Sequence, residues 1–203
     1  MHRKVKPVAN GYYHIYNRGV NYQNIFFKAE NWSFFLRRLR YYCTPDKADI
    51  IAYCLMPNHY HLLVYLKTDT FGEDVMQPFM VSYSKAINKQ EGRVGPLFQG
   101  PYKAKHVHND RYLMHLSRYI HLNPVTAGLA EKPEEWAYSS YLEYVGLRAG
   151  TLPQPDIVLR NPVFRNPVFD KNRVSTAYTT YADYVTSGHD EKAGLSASLL
   201  FDE

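Results

Sequence analysis

The chain has 203 residues, 45% hydrophobic and 21% charged, which suits one sizeable domain with an extension and excludes a disordered acidic chain or a fibrous one. No apolar run approaches the roughly 18 residues that span a membrane. The basic start MHRKVKPVAN lacks the apolar stretch of a secretory signal, and the two cysteines, Cys43 and Cys54, build no disulfide framework, so a soluble protein in a reducing, cytoplasmic setting is expected.

Gly11 to Arg18 (GYYHIYNR) is aromatic and β-branched and ends at Gly19, which predicts a strand closed by a turn. Lys28 to Cys43 places Trp32, Phe35, Leu36 and Leu39 at helical spacing, the mark of an amphipathic helix. Thr44-Pro45-Asp46 ends it, and Asp49 to Met56 reads as a buried strand. Pro57-Asn58 turns tightly into a second strand, His59 to Leu66, so the two should form an antiparallel hairpin. A further helix is expected from about Asp74 to Gln90, with Pro78 tolerated near its first turn. Phe98 to Val107 reads as a strand interrupted at Gly100-Pro101, which favours an edge or bulged position. Asn109 or Asp110 then caps a third helix, RYLMHLSRYIHLN, that should stop at Pro124. Strand, helix, strand, strand, helix, strand, helix predicts a ferredoxin-like α+β sandwich, an antiparallel sheet with helices packed mainly on one face.

The texture changes after about Gly150. RNPVFRNPVF, Arg160 to Phe169, is a short direct repeat that reads as an irregular, Pro-punctuated connection. Lys171 to Val185 predicts a last helix with Tyr178, Tyr181 and Tyr184 on one stripe, and the residues beyond Gly188 should be loose.

Formal charge is +5, and 19 tyrosines accompany 10 phenylalanines and 2 tryptophans. Tyrosine offers a flat face to a base and a hydroxyl to a phosphate, so the combination leans towards nucleic acid. Residues 1–109 carry +8, residues 110–150 carry −1 and residues 151–203 carry −2. The electrostatic footprint for a polyanion therefore belongs to the first half.

In His59-Tyr60-His61, strand alternation projects both imidazoles from one face, and two neutral imidazoles make half of a metal site. His106-Val107-His108 repeats the pattern and is assigned to structure or peripheral contact. A third ligand separates the two pairs. Tyr119 and Asn123 stand four apart on the third helix, hence on one face, with His115 a turn back. If that face packs over His59 and His61, Asn123 brings an amide oxygen and Tyr119 a hydroxyl to the same ion. A His/His/Asn set with open positions suits Mg2+ or Mn2+ that also coordinates a phosphate oxygen. Zinc on Cys54, His59 and His61 is the rival, although Cys43 and Cys54 lack the spacing of a zinc knuckle. A tyrosine nucleophile of ordinary pKa costs about 4 kcal/mol to ionise at pH 7, an amount a metal on the phosphate can offset. Tyr112, on nearly the same face, competes for that role, but only Tyr119 has Asn123 as its neighbour.

These segments carry a family resemblance. PNHYHLLV (Pro57 to Val64) resembles the His-hydrophobe-His motif of single-tyrosine transposases of the insertion-sequence-200 type, and RYIHLNPVTAGL (Arg118 to Leu129) resembles the catalytic helix of their REP-associated branch. YHIYNRG (Tyr13 to Gly19) and GPLFQGPYKAK (Gly95 to Lys105) match in the same order. The resemblance implies metal-dependent cutting and rejoining of single-stranded, hairpin-flanked DNA through a 5′-phosphotyrosine on Tyr119, with His59, His61 and Asn123 as ligands of Mg2+ or Mn2+. Residues 1–148 would be the catalytic domain and residues 149–203 an extension. Insertion-sequence members usually carry Gln where Asn123 stands and end soon after the catalytic helix, whereas 80 residues follow Asn123 here, and both points favour the REP-associated branch. A homodimer and a monomer both fit the resemblance. Arg18, Lys103 and Lys105 are the candidates for backbone contacts, with Tyr13 and Tyr102 as stacking surfaces. The alternative from another class is a non-catalytic DNA-binding regulator of repeat elements on the same fold.

Overall fold

A computed structural model describes residues 6–161 and 180–187. Strands Tyr12–Arg18 (β1), Ala48–Met56 (β2), His59–Leu66 (β3) and Lys103–Val107 (β4) form a sheet of order β2-β3-β1-β4, antiparallel at every pairing. Helix α1 (Ala29–Tyr42) joins β1 to β2, α2 (Gln77–Gln90) joins β3 to β4, and α3 (Asp110–Thr126) follows β4. Short helices Tyr141–Tyr144 (α4), Asp156–Leu159 (α5) and Tyr181–Thr186 (α6) complete the described chain. This is the ferredoxin-like α+β sandwich that the element order predicts.

Alternation along the strands sorts side chains into two cores. Ile15, Tyr60, Leu62 and Val64 pack against Phe35 and Leu39 of α1 and Phe79 and Tyr83 of α2. On the other face Cys54 and Leu63 meet Leu113, Leu116 and Ile120 of α3. The described part of the extension packs behind α3. Arg118 Nε donates to the carbonyls of Tyr184 and Val185 at 3.1 and 3.0 Å, and the buried His121 ring is bonded at 2.7 Å to Tyr181 Oη and at 2.8 Å to Ser140 Oγ. No described helix is long and apolar enough to cross a membrane.

Several boundaries differ from the sequence expectation; the helix expected from about Asp74 is α-helical only from Gln77, after a π-helical turn over Gly72–Met76. Helix α3 does not stop at Pro124 but runs to Thr126. Pro124 lies in the last turns, where a proline removes only one bond of the ladder, and its ring is buried; the Ala127 N–H still reaches Asn123 O at 3.0 Å. Asn123 therefore keeps helical geometry one turn beyond Tyr119. The strand expected from Phe98 begins only at Lys103, because Gly100-Pro101 interrupts the ladder and leaves Phe98 in an isolated bridge with Gly19. The last helix begins at Tyr181, capped by the Thr180 hydroxyl, which accepts the Asp183 N–H. The rest of that predicted helix, with Tyr178, most of the repeat and the residues beyond Gly188 lie outside the described residues.

Three buried imidazoles and one half-buried imidazole, His59, couple this fold to pH. Burial holds His14 and His121 at about 3, His59 at about 4 and His61 well below the ordinary histidine value. Unfolded, each would take a proton near pH 6.5; folded, none does until the pH is much lower. Stability is thus complete above pH 6.5 and falls as the pH drops towards 4, by roughly 1 kcal/mol per pH unit for each ring. Urea unfolding should show a clearly lower midpoint at about pH 5.5 than at about pH 7.5; equal midpoints would mean that the rings protonate in the folded state.

Candidate active site

Strand register builds one half of the site. Arg18 lies opposite His59 and Tyr16 opposite His61 on β1 and β3, while Lys103 and Lys105 of β4 lie opposite Tyr16 and His14. Directly opposed residues share a face. One face thus carries His14, Tyr16, Arg18, His59, His61, Lys103 and Lys105, and it is the face that α3 crosses.

Helix α3 supplies the other half. The Tyr119 ring stands 5.5 Å from His61, edge to face at 81°, and the His59 and His61 rings are 5.0 Å apart. The Asn123 side chain lies beside both the His59 ring and the Tyr119 phenol, close enough to perturb each, and its Nδ2 donates to the Tyr119 carbonyl at 3.4 Å. The structure therefore brings Tyr119, Asn123, His59 and His61 together. Tyr112 instead turns its buried ring to His108, at 5.5 Å, and its N–H is taken by the Asn109 cap at 2.7 Å.

Two polar residues that the sequence reading passed over orient the imidazoles. His14 Nε2 lies 2.8 Å from His61 Nδ1, and Asn58 Oδ1 accepts from His59 Nδ1 at 2.6 Å. A metal would therefore be met by Nε2 of each ring. Parity along YYHIYNR already placed His14 on the face of Arg18, but only the β1/β3 register shows that it meets His61. Burial depresses His59 to about 4, with the Asn123 amide opposing and Arg18 adding to the effect, and burial followed by the neighbouring rings of His14 and His59 holds His61 lower still. Both imidazoles are in the neutral form that binds metals. Burial pushes the Tyr119 phenol up to about 12, partly opposed by the Asn123 amide. Ionising it at pH 7 costs about 7 kcal/mol, so the resting group is the phenol.

Two imidazoles and an amide oxygen fit a hard divalent ion with coordination positions to spare. The zinc alternative finds no support. The Cys54 thiol is fully buried beside Met56 Sδ at 3.7 Å and is pushed far above the usual thiol range by burial, and among the described residues no three His, Cys, Asp or Glu side chains converge.

Residues 7–123, more than half of the chain, match the family described as Transposase IS200 like. The chain belongs to the IS200-like transposase family. The matched span contains the histidine pair, Tyr119 and Asn123. A Haemophilus influenzae protein named as a REP-associated tyrosine transposase is 24% identical over 109 residues, 49% of this transposase and 62% of that relative, so less than two thirds of the relative is spanned. A solved REP-associated tyrosine transposase bound to a REP hairpin shares the fold, with a TM-score of 0.56 at 18% identity over 76% of this chain and 93% of that one.

The candidates for DNA contact divide by strand parity. Arg18 and Lys105 are partly exposed and Lys103 is exposed, all on the site's face of the transposase. Tyr13 is a correction: it faces the opposite core at 2% exposure and its hydroxyl accepts the Val8 N–H at 3.1 Å, so it offers no surface to a base. Tyr102 packs half-buried on the α1/α2 core with its hydroxyl against Gly72. Both lie one residue out of phase with the side chains that face the site.

The loop after β1 closes the rim. A Cβ on Gly19 would stand 2.0 Å from the Gln23 carbonyl, and the Gly19 N–H donates to Asn58 O at 2.7 Å. Gly19→Ala should destabilise the transposase by about 2–3 kcal/mol in urea unfolding; an unchanged midpoint would show that the loop moves without cost.

Proposed function

We propose that this transposase cuts and rejoins single-stranded, hairpin-flanked DNA through a covalent 5′-phosphotyrosine on Tyr119. The observation that carries the reading is the meeting of Tyr119 with the histidine pair, 5.5 Å from His61, with Asn123 one helical turn on and beside His59. Mg2+ or Mn2+ held by His59, His61 and Asn123 would polarise the scissile phosphate and neutralise part of its charge.

Asn123 orients the phenol towards the histidine pair. Tyr119 Oη forms a bond to phosphorus as the bond to the 3′-oxygen breaks; the phenol loses its proton to solvent and the departing oxygen takes one up as a 3′-hydroxyl. One phosphoester replaces another, so attack by a second 3′-hydroxyl on the adduct restores a phosphodiester and returns a proton to Tyr119. Arg18, Lys103 and Lys105 neutralise backbone phosphates across the same face.

The hairpin in the related solved structure and the name of the curated relative support the choice of DNA. Because the tyrosine and the histidines belong to one chain, a single copy completes the site, which favours a monomer over a homodimer. Residues 1–148 act as the catalytic domain. The extension serves as a support for the tyrosine helix through Arg118 and His121.

A labelled DNA hairpin with single-stranded flanks, incubated with Mg2+ or Mn2+ and run on a denaturing gel, should give a covalent protein band. Mass spectrometry should then place a nucleotide on the peptide that contains Tyr119. Binding without an adduct under either ion would replace this reading with the non-catalytic DNA-binding regulator.

A further inference from the structure

Beside the histidine pair is a feature that cutting and rejoining leaves unused. After β1 the chain turns through Asn21 and Tyr22, both with left-handed backbone, φ 50 and φ 59. That conformation is unfavourable for a side chain as bulky as tyrosine, and such residues persist where the surroundings hold them. Here the Tyr22 N–H donates to Gly19 O at 3.1 Å, and its carbonyl accepts from Asn58 Nδ2 at 3.2 Å. The result is a tyrosine held outward, 63% exposed.

Its neighbours set the chemistry it can recognise. The Arg18 guanidinium lies 4.2 Å from the Tyr22 ring centre. Its polar partner is the neutral amide of Gln99, and among the described residues no carboxylate forms an ion pair with it. A second guanidinium, Arg93, sits 5.4 Å over Phe27 further along the same loop region. An exposed ring backed by an uncancelled cation suits a nucleotide, whose base stacks on the ring while its phosphate meets the guanidinium. Position follows from Asn58. One amide side chain bonds the Tyr22 carbonyl through Nδ2 and the His59 ring through Oδ1, at 3.2 and 2.6 Å, so the ring is fixed relative to the proposed metal ligand.

We propose that Tyr22, backed by Arg18, is a stacking platform for one unpaired base of the DNA strand that enters the Tyr119 site. The platform rests on the function proposed above. It holds a single nucleotide in register with His59, so the phosphate presented to Tyr119 is set by a stacked base as well as by backbone charge. Stacking tolerates any base, so the platform positions the strand without reading its sequence.

Binding is measured by fluorescence anisotropy on the full chain carrying Tyr119→Phe, with a labelled hairpin whose single-stranded flanks hold an abasic nucleotide at each position in turn. Tyr22→Gly removes the ring and also suits the left-handed backbone, so its melting temperature should equal or exceed that of the parent. Its affinity for the intact strand should fall roughly 5- to 100-fold, the loss of one base–aromatic stack. At one abasic position the two losses should not add, and Tyr22→Trp should restore binding. Unchanged affinity in Tyr22→Gly, or additive losses at every position, overturns the platform. Failure of the parent reading shows separately, as a wild-type protein that forms no Tyr119 adduct; a wild-type protein that binds no such hairpin overturns both.

Discussion

Tyr119→Phe should abolish the covalent protein–DNA band and lower cleavage by at least about a thousandfold, the scale on which removal of a nucleophile acts. The variant deletes one oxygen and keeps the ring that packs 5.5 Å from His61. The Asn123 bond to the residue-119 backbone carbonyl is kept, so folding and hairpin binding should survive. Tyr112→Phe is the matched control, since its buried ring faces His108 and away from the histidine pair. An adduct that persists in Tyr119→Phe and disappears in Tyr112→Phe would transfer the nucleophile to Tyr112. Loss of binding together with cleavage in Tyr119→Phe would leave a DNA contact, and no chemistry, at this position.

Chelation should stop cleavage without unfolding the protein, and added Mg2+ or Mn2+ should restore it. The two cores rest on side-chain burial that involves no ion, so the urea midpoint should move little on chelation. His59→Ala is the cleanest ligand variant because His59 sits at the partly exposed rim, whereas the fully buried His61 is bonded to His14 at 2.8 Å and its removal would strand a buried polar ring. In His59→Ala, Mn2+ affinity by titration calorimetry should fall at least about a hundredfold, with cleavage falling alongside it. Full cleavage in the presence of chelator, or unaltered Mn2+ affinity in His59→Ala, would remove the ion from this site. Unfolding on chelation with zinc recovered would return the structural-zinc alternative.

Features carried by short-range periodicity were legible in the chain. His59–Leu66 has the expected bounds, because Pro57-Asn58 forces the turn and a near-continuous apolar run, buried on both faces, follows. The four-residue step from Tyr119 to Asn123 likewise needed only the helical period, and Asn123 Nδ2 reaches back one turn to the Tyr119 carbonyl at 3.4 Å. Alternation along β1 sends Tyr13 and Arg18 to opposite faces, and the face of Tyr13 is the one buried against α1 and α2. At Pro124 a sound local rule is overridden by burial of its ring within α3.

The contacts that turn these residues into a site span long stretches of chain. His14 meets His61 across 47 positions, Asn58 meets Tyr22 across 36, and Arg118 grips the carbonyls near residue 184 across 66 or more. Strand and helix identity, the shared face of His59 and His61, and the pairing of Tyr119 with Asn123 follow from periods of two and 3.6 residues and are fixed within a single element. Which face α3 covers, which nitrogen of each imidazole is taken by a neighbour, and which tyrosine is held outward follow from register and burial between elements. Those depend on hydrogen bonds and apolar contacts made only when distant segments meet, and no local window of the chain contains them.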